Sequence, residues 1–239
     1  MWDDHRLLNQ IASFLYALGA VCVLYAVLMV VVRLPVFPLR EVRVSGQIAH
    51  TTREQVDAIV RQQLRGNFFT LDLERTRLVF EKLPWVRKAN LRRAWPDRLE
   101  VSVEEHVALA RWRDIGLVNT YGEVFEAASN ARLPVFRGPE GAAVEMADQY
   151  RMFRTALAAI GREPVEVRLS DRRAWELRLS DGFLLELGRQ DMNARLARYV
   201  SGYARAVVQL RPGTYRVDLR YPNGFAVRVP GLRWTGAAT

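Results

Sequence analysis

Three histidines, His5, His50 and His106, and one cysteine, Cys22, are the only imidazole and thiol groups in this 239-residue chain. The histidines are scattered, and only Glu104-Glu105-His106 sets one beside carboxylates. In an extended strand adjacent side chains point to opposite faces, so Glu104 and His106 can meet without Glu105, fewer donors than a metal site uses. Ordinary strand polarity explains the run better. Two carboxylate pairs, Asp171 with Asp181 and Glu166 with Glu176, have the composition of a glycosidase acid and base, but carboxylates in turns and on strand faces are common without such a role. No Walker-type phosphate loop or dinucleotide fingerprint is present. These residues predict a non-enzymatic protein with no metal and no cofactor.

The elements around them begin with an apolar segment. Residues 7–32 carry no charged side chain. At about 1.5 Å per residue, a helix over 11–32 is about 33 Å long and matches the roughly 30 Å hydrocarbon layer of a bilayer. A transmembrane helix over 11–32 is therefore expected, behind a short tail at 1–10. A buried core helix carries a polar stripe that this segment lacks, and a cleaved signal peptide has a shorter apolar region and a small-residue cleavage site. Cys22 falls inside the segment, so the remainder of the chain forms no disulfide and has no thiol nucleophile. Arg6 on the short side against Arg33, Arg40 and Arg43 on the long side favours a cytoplasmic long part, although the rule weakens when a long domain follows.

Lys and Arg number 35 against 26 Asp and Glu, a net charge of +9. A basic balance suits nucleic acid, anionic headgroups, an acidic partner, or a solvated surface with no ligand. The local clusters are Arg92-Arg93, Arg172-Arg173 and the helical face Arg195/Arg198/Arg205. No helix-turn-helix or RNP-type motif accompanies them, which argues against nucleic-acid binding.

After a stiff proline connector at 34–38, Val42 and Val44 mark a strand ended by Gly46. Thr51-Thr52-Arg53-Glu54 has capping-box spacing before Val56, Ile59, Val60 and Leu64 at helical intervals. Asp72 is a plausible N-cap for a second helix through Leu73, Thr76, Phe80 and Leu83, closed by Pro84. Strands at 86–93 and 99–105 flank Ala94-Trp95-Pro96-Asp97. The order over 37–106 is β-α-α-β-β.

From 107 to 229 strands dominate. Thr120-Tyr121-Gly122 and Ser180-Asp181-Gly182 read as hairpin turns. A helix over 142–160 is expected to lay Val144, Ala147, Tyr150, Met152, Phe153 and Leu157 on a sheet. A second, over 192–210, carries Leu196, Tyr199, Val200, Tyr203, Val207 and Leu210 on one side. Pro212-Gly213 ends it. The last strand pair, 214–221 and 225–229, turns through Pro222-Asn223-Gly224, with a mobile tail at 230–239. The fold class expected is α+β: one N-terminal transmembrane helix, a β-α-α-β-β domain, and an antiparallel sheet domain backed by two helices.

Phe37-Pro38-Leu39, Val44-Ser45-Gly46, Leu83-Pro84-Trp85-Val86, Trp95-Pro96-Asp97 and Ala110-Arg111-Trp112, behind one membrane helix, resemble the FtsQ/DivIB family of bacterial cell-division proteins. The resemblance continues through Arg172-Arg173-Ala174-Trp175, Leu187-Gly188-Arg189, Arg195-Leu196-Ala197-Arg198 and Val217-Asp218-Leu219-Arg220-Tyr221, and so covers nearly the whole chain. It implies a POTRA domain at 37–106 followed by a C-terminal β domain at 107–229. It also implies a divisome scaffold in the inner membrane at the septum, with the N-terminus cytoplasmic and the domains periplasmic, docking FtsB and its partner FtsL, while the POTRA domain contacts other divisome proteins. The family's partner-binding contacts carry over to Arg220 and Tyr221, which match, and to Asn223, Gly224 and Phe225, where the side chains depart. Arg172 is the further candidate.

Physically, a guanidinium at Arg220 or Arg172 suits a partner carboxylate, and Tyr221 offers apolar area with a polar tip. Tyr221 also shares alternation with Val217 and Leu219, so burial in its own core stays open. Arg220→Glu is expected to abolish partner capture and leave thermal unfolding unchanged. The alternative is a different membrane-anchored POTRA protein serving outer-membrane assembly or secretion, which tends to carry several POTRA units or a barrel; only one unit is found here.

Overall fold

A computed structural model describes residues 5–33, 38–46, 48–63, 66–207 and 215–228. The connector at 34–37, Leu64, the residues 208–214 and the tail expected at 230–239 lie outside the described residues. Two compact units divide the chain at Glu105 and His106.

The first unit opens with α1 (His5–Arg33), which starts six residues before the expected span. Within it, residues 9–32 form a helix long and apolar enough to cross a membrane, with none of that stretch buried against protein. Next come β1 (Glu41–Ser45), α2 (Arg53–Gln63), α3 (Leu73–Phe80), β2 (Val86–Ala94) and β3 (Arg98–Glu105). The sheet order is β1-β3-β2, with β1 parallel and β2 antiparallel to β3. That is the expected β-α-α-β-β order, and α2 and α3 supply the crossover that a parallel β1–β3 pair requires. Phe80, Leu99 and Val101 are fully buried in this unit's core.

Local chemistry explains the boundaries. Asp72 caps α3 as expected, its carboxylate accepting from the Arg75 amide at 3.0 Å. The capping box sits one residue later than expected. Thr52 Oγ1 accepts from the Gln55 amide at 3.3 Å, and Gln55 Oε1 accepts from the Thr52 amide at 3.0 Å. Thr51 is instead buried, its amide donating to Glu105. Gly46 ends β1 at φ +136°, where a Cβ would stand 2.1 Å from the Val103 carbonyl oxygen, so only glycine fits.

Glu105 gathers three backbone amides, from Ala49, His50 and Thr51, at 2.7–3.2 Å. Burial pushes its carboxyl upward, but these hydrogen bonds outweigh it and hold the group below the ordinary 4.5. A carboxyl held low in the folded chain stabilises the fold above its unfolded value, and the contribution is lost as pH falls through the folded value. Glu105→Gln should therefore flatten the acid limb of the stability curve below pH 4.5 and cost about 1–3 kcal/mol at pH 7. Urea titrations across this range read both effects; parallel curves for the two proteins would exclude the role.

The second unit contains β4 (Ala108–Trp112), β5 (Gly116–Asn119), β6 (Val124–Phe125), β7 (Val135–Arg137), α4 (Ala143–Ala158), β8 (Pro164–Leu169), β9 (Trp175–Leu179), β10 (Leu184–Gly188), α5 (Met192–Ala206), β11 (Arg216–Asp218) and β12 (Ala226–Arg228). They form one nine-stranded sheet in the order β12-β11-β10-β9-β8-β7-β4-β5-β6. Its pairing is mixed rather than uniformly antiparallel: β4–β7, β7–β8 and β10–β11 are parallel. The cause lies in the connections, because α4 joins β7 to β8 and α5 joins β10 to β11, and a helical crossover returns the chain in the same direction.

The buried face of α4 is Ala143, Met146, Ala147, Tyr150, Phe153 and Leu157, while Val144 and Met152 point outward. On α5 the expected face holds as far as Val207, with Leu196 and Tyr199 fully buried, while Leu210 lies outside the described residues. Trp175, on β9, packs edge-on against Phe153 with ring centres 5.6 Å apart.

Several of the groups with catalytic or metal-binding composition have structural partners. Glu104 pairs with Arg87 at 2.8 Å. His106 lies 2.9 Å from Asn119 Nδ2 and stacks on Phe125. Glu166 is ringed by Arg137, Arg168 and Arg178, and Asp181 pairs with Arg162 at 2.7 Å. Among the described residues, no cluster of three or more His, Cys, Asp or Glu is arranged to hold a metal.

Candidate functional site

The residues singled out for partner binding converge on one end of the second unit's sheet. Trp175, which follows the turn bearing Arg172, lies opposite Gly188 on β10, and Glu186 on β10 lies opposite Asp218 on β11. The β8–β9 turn and the 219–225 segment therefore share that end, two strand spacings or about 10 Å apart across the sheet. Arg172 is exposed. Its neighbour Arg173, at φ +64°, forms an ion pair with Glu145.

Why the last strand stops short of its expected length is visible at Asp218. Its Oδ1 accepts from the Arg220 amide at 3.0 Å, an Asx turn that ends β11 there rather than at 221. Val217 and Leu219 are buried, but past this turn the alternation breaks and Tyr221 swings out to 54% exposure. The open question about Tyr221 is thereby answered: it does not fill its own core. Phe225 takes the inner place, half-buried against Tyr199 with ring centres 5.7 Å apart and in contact with Gly202. Asn223 is exposed and Gly224 half-buried.

Arg220 is not free for a partner alone. Its Nε and Nη2 grip both oxygens of Asp218 at 2.9 and 2.7 Å, and Nη2 stands 3.3 Å from Glu186. Arg216 holds Glu186 from the other side at 2.9 Å. The hydrogen bond from Arg220 keeps the Asp218 carboxyl below the usual carboxylate range despite partial burial. This network revises the expectation that Arg220→Glu spares the fold, since the substitution would crowd three carboxylates together.

Three residues that sequence reasoning did not assign to the site hold it in shape. Arg198 Nη1 donates to the Tyr221 carbonyl at 2.7 Å, and Arg195 Nη1 to the Leu187 carbonyl at 2.6 Å. Both had the look of a solvated basic helix face, yet they tie α5 to the end of the sheet. Gly188, at φ +76° beside an irregularity in the β9–β10 register, lets the Arg220 stem pass, because a Cβ there would meet Arg220 Cγ at 3.2 Å and Arg195 Nη1 at 2.7 Å. The glycine in Leu187-Gly188-Arg189 was the available signal.

Beyond this end lies the open side of β12. It pairs with β11 through Arg216–Arg228, Val217–Val227 and Asp218–Ala226, and among the described residues no strand lies beyond it. Half of its backbone donors and acceptors thus face away from the sheet, the geometry that accepts an added strand.

An apolar N-terminal helix, one POTRA domain and a mixed-sheet domain ending in an open strand define a division-type POTRA protein. The FtsQ-type POTRA family model matches residues 37–106 and the C-terminal FtsQ/DivIB cell-division model matches 110–220. The cell-division protein FtsQ of Nitrosospira multiformis is 45% identical over 95% of this chain and 99% of its own length. Those of Burkholderia pseudomallei and Bordetella pertussis are 42% and 34% identical over 98% and 97% of this chain. The chain belongs to the FtsQ/DivIB family of cell-division proteins.

Proposed function

We propose that this protein is a non-enzymatic divisome scaffold, single-pass in the inner membrane, whose second unit lies outside the cytoplasm and captures an extended segment of FtsB together with its partner FtsL. The open outer side of β12, beside the exposed Tyr221, is the observation that carries the reading. A partner strand laid along β12 gains main-chain hydrogen bonds, and the exposed tyrosine and the Arg172 and Arg220 guanidinium groups add side-chain contacts at the same end of the sheet. The POTRA unit is left for other divisome proteins.

Co-purification from membranes tests this with the full chain, Tyr221→Ala, and a chain ending after Asn223. Tyr221→Ala should weaken capture by about ten- to hundredfold, as expected for an interfacial aromatic anchor. Removal of the strand should abolish capture. Undiminished recovery of FtsB with the shortened chain would reject the edge as the docking site. Topology is read in the same membranes: a membrane-impermeant thiol reagent should reach Asp171→Cys in spheroplasts, and labelling only in inverted vesicles would reverse the orientation.

A further inference from the structure

The POTRA unit carries an aromatic tip at the end where the chain arrives from α1. Trp95, in the β2–β3 turn, is 82% exposed, the largest exposure of any large hydrophobic side chain among the described residues. Its turn is tied to the start of β1: the Arg40 and Glu41 amides both donate to the Asp97 carbonyl, at 2.9 and 3.4 Å. A second loop joins the same end. Arg93 Nη2 donates to the Leu71 carbonyl at 2.6 Å and reaches the Phe69 carbonyl at 3.4 Å. Phe69 is itself 44% exposed, and its neighbour Asn67 donates through Nδ2 to the Val32 carbonyl, in the last turn of α1, at 2.7 Å.

These bonds tie the loops that carry the two aromatic side chains to the start of β1 and the end of α1. Only four residues lie between Arg33 and Pro38, a reach of at most about 18 Å over the five steps, and the Asn67–Val32 bond leaves less. The polar layer on each side of a bilayer is about 5–8 Å thick. Trp95 and Phe69 are therefore held within reach of the layer that the end of α1 occupies. Tryptophan favours that layer, where an apolar ring with one N–H donor suits the boundary between hydrocarbon and water. Arg40 and Arg92, both exposed, flank the tip with Asp97 and Glu100 as their paired carboxylates, and exposed guanidinium heads on long stems suit a surface of headgroup phosphates.

We infer that the 94–97 turn, with Trp95 as its anchor and Phe69 beside it, inserts into the headgroup layer of the membrane that α1 spans, and so sets the POTRA unit against the lipid surface. This rests on α1 being a membrane anchor and is independent of the orientation of the chain. The inferred occupant is lipid, not a protein, because the tip's position is dictated by the chain's own helix.

The test uses the full chain reconstituted in nanodiscs of phosphatidylglycerol and phosphatidylcholine, with and without bromine at the 6,7 positions of the acyl chains. Brominated lipid should quench wild-type tryptophan emission more than that of Trp95→Ser, and the component lost on substitution should emit at shorter wavelength than tryptophan in water. Phe69→Ser should reduce the quenching of Trp95, with the circular dichroism of both variants unchanged. Equal quenching of wild type and Trp95→Ser in folded, reconstituted protein overturns the inference and leaves the anchor standing. Failure of the chain to float with vesicles after alkaline carbonate overturns both.

Discussion

Arg220→Glu is expected to lose FtsB capture by about two orders of magnitude or more, the scale for removing one member of a charged contact at an interface, and to lower the thermal midpoint as well. The second effect follows from the internal network. In the native chain one guanidinium neutralises Asp218 and reaches Glu186; in the variant a third carboxylate joins them. Arg220→Gln separates the two consequences, because it removes the charge without adding repulsion. Capture by the Gln variant should fall while its midpoint moves less than that of the Glu variant. Capture measured by surface plasmon resonance and melting followed by circular dichroism decide it. A Glu variant that binds normally would exclude Arg220 from the contact, whatever its stability.

Trp175→Ala should be the most damaging single change to the second unit, at about 3–5 kcal/mol. The ring is only 2% exposed, sits on a central strand and packs against Phe153 beneath α4. Removing it leaves a cavity that the sheet cannot close, because its neighbours are fixed by pairing on both sides. Urea unfolding of the detergent-solubilised chain should show a lower midpoint at unchanged slope. Trp175→Phe should recover much of the loss. If alanine shifts the midpoint no more than phenylalanine does, the packing described is wrong.

Much of this architecture was legible in the residues, for identifiable reasons. Helical periodicity placed α2, α3 and α5, and turn glycines placed the β9–β10 hairpin. Strand β8 is weakly signalled although Val165, Val167 and Leu169 alternate, because a proline opens it and so short an alternation also fits a loop. Strand β7, three residues between prolines and glycines, is too short to carry a period. Parallel pairing was out of reach because it depends on where α4 and α5 return the chain, which is a long-range fact. At the candidate site the residue types were readable, but their roles were not. Alternation carried past Asp218 would have buried Tyr221, and only the Asx turn, an interaction between a side chain and a nearby amide, reverses that. Arg195 and Arg198 were unreadable for a related reason, since a guanidinium on a helix face looks the same whether it meets water or a carbonyl.

The order of strands makes the open edge separable from the rest of the sheet. Because α5 must cross back before β11 can take its place beside β10, and β12 closes on β11 after that, the open edge is built from residues that follow every other strand of the sheet in the chain. On the docking proposed above, cleavage between α5 and β11 would leave α1 and the POTRA unit intact and remove the strand pair that a partner segment would extend.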